Sequence, residues 1–163
     1  MQTKLQNLTV KDLMHSDWIS LSPNMSLNDA LKALTQTQQN AAAVVNKQDE
    51  ILGFISEQDI LRGLWSEEFN NDNQLLVSDL MQMQFTSVKK DQTIFDITEF
   101  FVVDKNKLFN VNDSGMLTSM NYQSYPERLR VAFSHNQAVM PVVENEKLIG
   151  MLSQNAIANF IAA

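Results

Sequence analysis

The sequence contains no cysteine, which excludes disulfides, thiol catalysis and cysteine-ligated metals. Two histidines, His15 and His135, are too few for a histidine-built metal centre, leaving a mixed carboxylate site as the remaining metal option. Glycine is scarce as well. With four glycines and no G-x-x-x-x-G-K there is no Walker loop, so a bound phosphate would have to be held by side chains. No window approaches the roughly 18 apolar residues of a membrane span. The stretch Met1 to Asp17 lacks the apolar core of a secretion signal. Positive charge is also short: 12 Lys and Arg face 19 Asp and Glu, for a net charge of −7. That balance repels DNA, RNA and anionic membranes at long range. The expectation is a soluble cytoplasmic protein with no nucleic-acid partner and no membrane contact.

What is present is ordinary globular material, 44% apolar and 19% charged over 163 residues. That is enough to bury a core as one domain or two small ones. Its most informative feature is self-similarity. Val10 to Met14, VKDLM, recurs as VSDLM at Val77 to Met81, 67 positions on. The same offset carries Ser26 onto Thr93, Leu27 onto Ile94 and Asp29 onto Asp96. Further along, Ala43-Val44-Val45 matches Pro141-Val142-Val143 at an offset of 98, and Gly53 matches Gly150 at 97. The chain is a duplication whose second copy carries about 31 extra residues.

Each copy reads as the same string of elements. A short strand, WISLS or FTSV, precedes a capped helix with Leu27, Ala30, Leu31 and Leu34, or Ile94, Ile97 and Phe101, at helical spacing. A buried strand follows, AAAVVN or VMPVVE. A turn, KQDE or NEK, then leads into ILGFIS or LIGMLS as the second arm of a hairpin. A final helix carries Ile60, Leu61 and Leu64, or Ile157, Phe160 and Ile161. The fold class is therefore α/β (α+β), with two β-α-β-β-α repeats. The expected division is repeat one at 1–65, a polar acidic linker at 66–76, and repeat two at 77–163 with a long insert at about 103–134.

This ordered set of an SDLM-type opening, a PVV strand and a G-h-h-S-x-x-D close, found twice, resembles the CBS domain. Two in tandem resemble a Bateman module, here a stand-alone one. The resemblance covers nearly the whole chain except the insert. It implies two sheets side by side with helices outside, pseudo-two-fold symmetry between the CBS repeats, and often a disc-shaped homodimer.

The resemblance further implies that Asp59, the aspartate of S-x-x-D, holds both ribose hydroxyls of an adenosine-type ligand. An ionised carboxylate can accept two hydrogen bonds from a cis-diol. Ser56 and Gln58 would add polar contacts and Phe54 an apolar wall. Thr86, Ala138 and Val139 of copy two would complete the pocket. Arg62, one turn after Asp59, is the best-placed cation for a phosphate. AMP, ADP, ATP and S-adenosylmethionine are the candidate ligands, and no cofactor is required. Beside this stands a plainer reading, because Ser-x-x-Asp before an apolar helical run is also a capping box. The chain uses the same spacing at Thr9/Asp12, Ser26/Asp29 and Thr93/Asp96. In copy two Ser153 is kept, Asn155 is one position early and Ala156 stands where Asp59 does, so the symmetric site is expected to be degenerate.

Within the insert, Asn112-Asp113-Ser114-Gly115 has turn chemistry and Tyr125-Pro126 can open a short helix. Met116, Leu117, Met120, Tyr122 and Tyr125 are too apolar for a free loop and are expected to pack on the module or on a second subunit. Arg128 and Arg130 lie nearby. No nucleophile–base pair or catalytic motif is recognisable, Ser114 included, so an enzyme is not expected. The functional expectation is a sensor that signals adenosine-type binding to a separate effector protein. The alternative is a ligand-free CBS scaffold for oligomerisation or protein–protein interaction.

Overall fold

Each half of the chain builds one antiparallel hairpin and clasps it with helices. The structure is a computed structural model that describes residues 5–67, 74–109, 114, 124–132 and 138–163. The first half contains α1 (Val10–Leu13), β1 (Ser20–Leu21), α2 (Leu27–Thr37), β2 (Ala41–Val45), β3 (Ile51–Ser56) and α3 (Glu57–Glu67). The second contains α4 (Val77–Leu80), α5 (Ile94–Val102), α6 (Lys105–Phe109), α7 (Tyr125–Val131), β4 (Val139–Glu144), β5 (Lys147–Ser153) and α8 (Gln154–Ala162). No helix among the described residues is long and apolar enough to cross a membrane.

The strands form one sheet in the order β1-β2-β3 and a second, β4-β5. In the first, β1 runs parallel to β2 while β2 and β3 are antiparallel. The FTSV stretch of copy two forms no strand of its own. It is reduced to a parallel bridge, with Val88 N–H donating to Pro141 O and Val143 N–H to Val88 O, each at 2.9 Å.

Pseudo-two-fold symmetry is visible in the cross-copy backbone pairs. Phe54 bridges Gln82 and, reciprocally, Met151 bridges His15; Ser26 bridges Leu76, and Thr93 bridges Thr9. Glu50 bridges its own equivalent, Lys147, so the pseudo-dyad passes between the two hairpin turns. These contacts send each opening segment into the opposite core. Val10 is fully buried in a cluster with Val88, Ile94, Phe101, Met140 and Ile157. Val77 is buried among Leu21, Leu27, Leu34, Ile55 and Ile60. A third cluster, Ala41, Ala43, Phe54, Val139 and Met151, joins the two hairpins. The repeat of the sequence and the packed unit are thus different things.

Two local features have measurable consequences. The crossing segments lie so close to the hairpins that a Cβ at Gly150 would stand 2.9 Å from the His15 carbonyl oxygen, and one at Gly53 3.1 Å from that of Gln82. Backbone cannot yield as a side-chain tip can. Gly150→Ala is expected to cost roughly 1–3 kcal/mol. At about 2–4 °C per kcal/mol for a chain of this size, a thermal melt resolves that loss. Conversely, the β4–β5 turn places Asn145 (φ 51°) and Glu146 (φ 66°) in the left-handed region, where glycine is favoured at the second position. Glu146→Gly is expected to raise the melting temperature, by about 1 kcal/mol of relieved backbone energy less the added freedom of the unfolded chain.

The insert leaves and returns at one point, where Asp104 N–H donates to Ala132 O at 2.8 Å. The expected helix at Tyr125-Pro126 forms as α7. Tyr125 is exposed instead of packed on its own chain, with the Arg128 guanidinium 5.8 Å from its ring centre. Asn112, Asp113, Gly115, Met116, Leu117, Met120, Tyr122 and His135 lie outside the described residues.

Candidate functional site

The segment from Ser56 to Arg62 leaves β3 and enters α3 without a loop, so one residue must both end a strand and cap a helix. Ser56 does this. Its hydroxyl accepts from Asp59 N–H at 3.2 Å, while Asp59 Oδ2 accepts from Ser56 N–H at 3.1 Å and from Ser56 Oγ–H at 2.7 Å. The capping box is complete.

Equivalent carboxylates cap other helices: Asp12 on Thr9, Asp29 on Ser26, Asp79 on the Leu76 N–H and Asp96 on Thr93. All four are exposed. Hydrogen bonds from the Thr9 backbone and hydroxyl hold the Asp12 carboxyl below the ordinary carboxylate range, so a cap can be effective at the surface. Asp59 is different: at 6% exposure it is the only buried charged residue among those described. Capping does not require that burial, and burying a carboxylate is costly unless its lone pairs are met.

The remaining partners of Asp59 explain how it is tolerated. Gln82 Nε2 donates to Oδ2 at 3.3 Å, which occupies that oxygen fully. Among the described residues Oδ1 accepts a single contact, from Arg62 Nη1 at 3.3 Å, and the Arg62 side chain is 71% exposed. One oxygen is therefore consumed by the fold. The other keeps acceptor capacity, with a solvated, displaceable guanidinium beside it. Asp59 can cap α3 and hold a ligand's hydroxyls at the same time.

Asp59 opens on a cleft of about 970 Å³ between the two halves. The structure brings all eight sequence-predicted residues to it. Phe54, Ser56, Gln58, Asp59 and Arg62 come from the β3–α3 side, and Thr86, Ala138 and Val139 from copy two. Phe54 and Val139 are buried in the cluster that joins the hairpins and give the cleft an apolar floor. Gln58, Thr86 and Ala138 are exposed along its rim.

Sequence reasoning missed Gln82, Gln84, Phe85, Phe100, Asn40 and Glu57, which also line it. Phe85 lies next to Thr86 in the same predicted strand and was within reach of that reading. Gln82 was not, because only the crossing of the α4 segment onto β3 brings it to Asp59.

A second cleft of about 480 Å³ lies beside the first, sharing Asn40, Glu57, Ala138 and Val139 with it. Ser153 and Asn155 line it, but Ala156 does not. The Ser153 hydroxyl accepts from Ala156 N–H at 3.1 Å, so the cap survives where the carboxylate is gone. Trp18 stands where Phe85 stands in the first cleft, its indole N–H donating to Ala41 O at 2.8 Å. Among the described residues no group of three or more His, Asp or Glu is placed to hold a metal ion.

Comparison with known proteins agrees with this architecture. Residues 10–66 match the CBS domain family. No curated protein matches the sequence. Among solved structures, a CBS domain-containing protein of unknown function from Bacillus anthracis is 20% identical, with 99% of this chain and 98% of that one covered and a TM-score of 0.67. CBSX2 from Arabidopsis thaliana, solved in complex with AMP, is 20% identical over 96% and 97% of the two chains, with a TM-score of 0.66. The CBS domain pair of protein MJ0100, in complex with 5′-methylthioadenosine and S-adenosyl-L-methionine, is 16% identical over 94% and 99%, with a TM-score of 0.64. These likenesses concern the fold. With reciprocal bridges relating its halves, this chain carries a CBS domain at residues 10–66 and has the fold of a CBS domain pair over nearly its whole length.

Proposed function

We propose that the cleft at Asp59 binds an adenosine-type ligand and that occupancy is signalled to a separate partner protein. The observation that carries this reading is the burial of Asp59. Among the described residues five aspartates cap helices, and the one withdrawn from solvent lines a cleft with an apolar floor. Ribose hydroxyls would approach Oδ1, and a planar base would lie against Phe54 and Val139. AMP bound to CBSX2, and methylthioadenosine and S-adenosylmethionine bound to MJ0100, support the ligand class. Signalling would follow from position, because a ligand there touches both halves and Gln82 ties Asp59 to the crossing segment.

A regulatory role without catalysis, in the cytoplasm, accords with this reading. So does a homodimer built through the CBS modules, for which the exposed Leu61 and Trp65 of α3 offer apolar surface. A ligand-free scaffold is the second reading, favoured by the loss of the carboxylate in the second cleft. The net charge of −7 argues against nucleic acid under either.

A thermal-shift screen separates the two. It would compare ATP, ADP, AMP, adenosine, S-adenosylmethionine and NAD, with GTP as control. A ligand at about 100 times its dissociation constant adds about 2.7 kcal/mol, on the order of 5–10 °C here. No shift with any compound would leave the scaffold.

A further inference from the structure

Among the described residues three charged side chains line the first cleft: Glu57, Asp59 and Arg62. Arg62 pairs with Asp59 at 3.3 Å, and even when displaced from it carries one positive charge against the two carboxylates. The Glu57 carboxylate is exposed and makes no hydrogen bond or ion pair among the described residues; only its backbone N–H is engaged, donating to Asn40 O at 2.8 Å. Among the described residues no lysine lines either cleft, and Glu57 is the only charged one lining the second. By the pseudo-symmetry its counterpart is Gln154, whose N–H donates in the same way to Ala138 O at 3.0 Å. The chain thus holds an acid on one side and its uncharged isostere on the other.

Electrostatics then act on the ligand's substituents. The N-terminus of α3 offers about half a positive charge, but Glu57 and Asp59 both occupy its first turn and outweigh it. A phosphate monoester brings close to two negative charges at neutral pH. It would enter a cleft that is net negative, inside a protein that is net negative.

Resting on the adenosine reading above, we propose that the cleft selects adenosine compounds that carry no phosphate, either uncharged or bearing a cationic substituent such as a sulfonium, and that Glu57 is the specificity-determining residue. Removing one carboxylate from the lining of a half-solvated site changes the affinity for a phosphate by about tenfold.

Isothermal titration of the full chain with adenosine, 5′-methylthioadenosine, S-adenosylmethionine, AMP and ATP tests this. Adenosine and the sulfur compounds are expected to bind at least about tenfold tighter than AMP and ATP, with the gap narrowing as salt is raised. Glu57→Gln should recover about tenfold for AMP and ATP while leaving adenosine nearly unchanged, and Glu57→Lys should go further in the same direction. Glu57 is exposed, so both variants should melt close to the parent. AMP or ATP binding as tightly as adenosine to the parent chain would overturn the selectivity and leave the adenosine site standing. Selectivity unchanged in Glu57→Gln would remove Glu57 from the role. Binding of none of the five would overturn the adenosine reading itself, and this inference with it.

Discussion

Asp59→Ala is expected to abolish binding of any adenosine compound and, separately, to destabilise the fold by about 1–2 kcal/mol. The two losses come from different oxygens. Removing Oδ2 deprives Ser56 N–H and the Ser56 hydroxyl of their acceptor and frees the Gln82 amide in a partly buried place. Loss of a cap of this kind costs about 0.5–2 kcal/mol, and the unmet polar groups place the result in the upper half of that range. Removing Oδ1 deprives a ribose of its acceptor. Loss of a charged acceptor from a cis-diol weakens binding by roughly 1.5–3 kcal/mol per hydrogen bond, which puts the complex beyond detection for a ligand of micromolar affinity.

Asp59→Asn separates the effects. The asparagine carbonyl oxygen can still accept from the Ser56 N–H and hydroxyl, as a glutamine does at the third position of a capping box, so the melting temperature should stay near that of the parent. Its carboxamide lacks the charge and one acceptor, so binding should still fall sharply. A melt without ligand and a titration with adenosine, on all three proteins, read the two quantities independently. Unchanged affinity in Asp59→Asn would mean that the carboxylate only caps α3.

Cutting the chain between its sequence repeats is expected to unfold both pieces. A fragment ending at Glu67 lacks Val77, Leu75 and Leu80, which close the core around Leu27, Ile55 and Ile60. A fragment beginning at Gln74 lacks Leu5, Val10 and Leu13, which close the core around Ile94, Phe101 and Met140. Each well-buried aliphatic side chain is worth about 1.5–3 kcal/mol. Losing two or three of them removes on the order of 5 kcal/mol, comparable with the whole stability of a domain. Each fragment also exposes the hairpin backbone that pairs with the crossing segment at Phe54–Gln82 or His15–Met151. Circular dichroism melts should show no cooperative transition for either piece alone and a cooperative one after mixing. A sharp transition in one isolated piece would mean that the exchanged segments are dispensable.

Much of this was legible beforehand, and for local reasons. The hairpins follow from runs such as AAAVV and VMPVVE, whose side chains suit strands covered on both faces, separated by turn residues. The helices follow from apolar spacing and from Ser, Thr and Asp at their starts. In the site, Ser56, Asp59 and Arg62 sit within two turns of one helix, so their proximity is a matter of spacing alone. Thr86, Ala138 and Val139 could be named only through the pseudo-symmetry that the family resemblance implies, and the structure brings them to the same cleft.

By itself the sequence determined the duplication, the helix caps and the order of elements, because each depends on neighbours a few residues apart. It also determined that the two halves are unequal, since a missing carboxylate at Ala156 is a matter of identity. Tertiary structure alone decided which half each opening segment joins, because Val10 and Val77 are equally apolar and equally well suited to either core. That choice delivers Gln82 to Asp59 and demands glycine at Gly53 and Gly150, where backbone meets backbone. It also decided which of five similar aspartates is buried. All five stand at the same capping position, and only packing across the pseudo-dyad withdraws Asp59 from water while leaving it on the lining of the cleft.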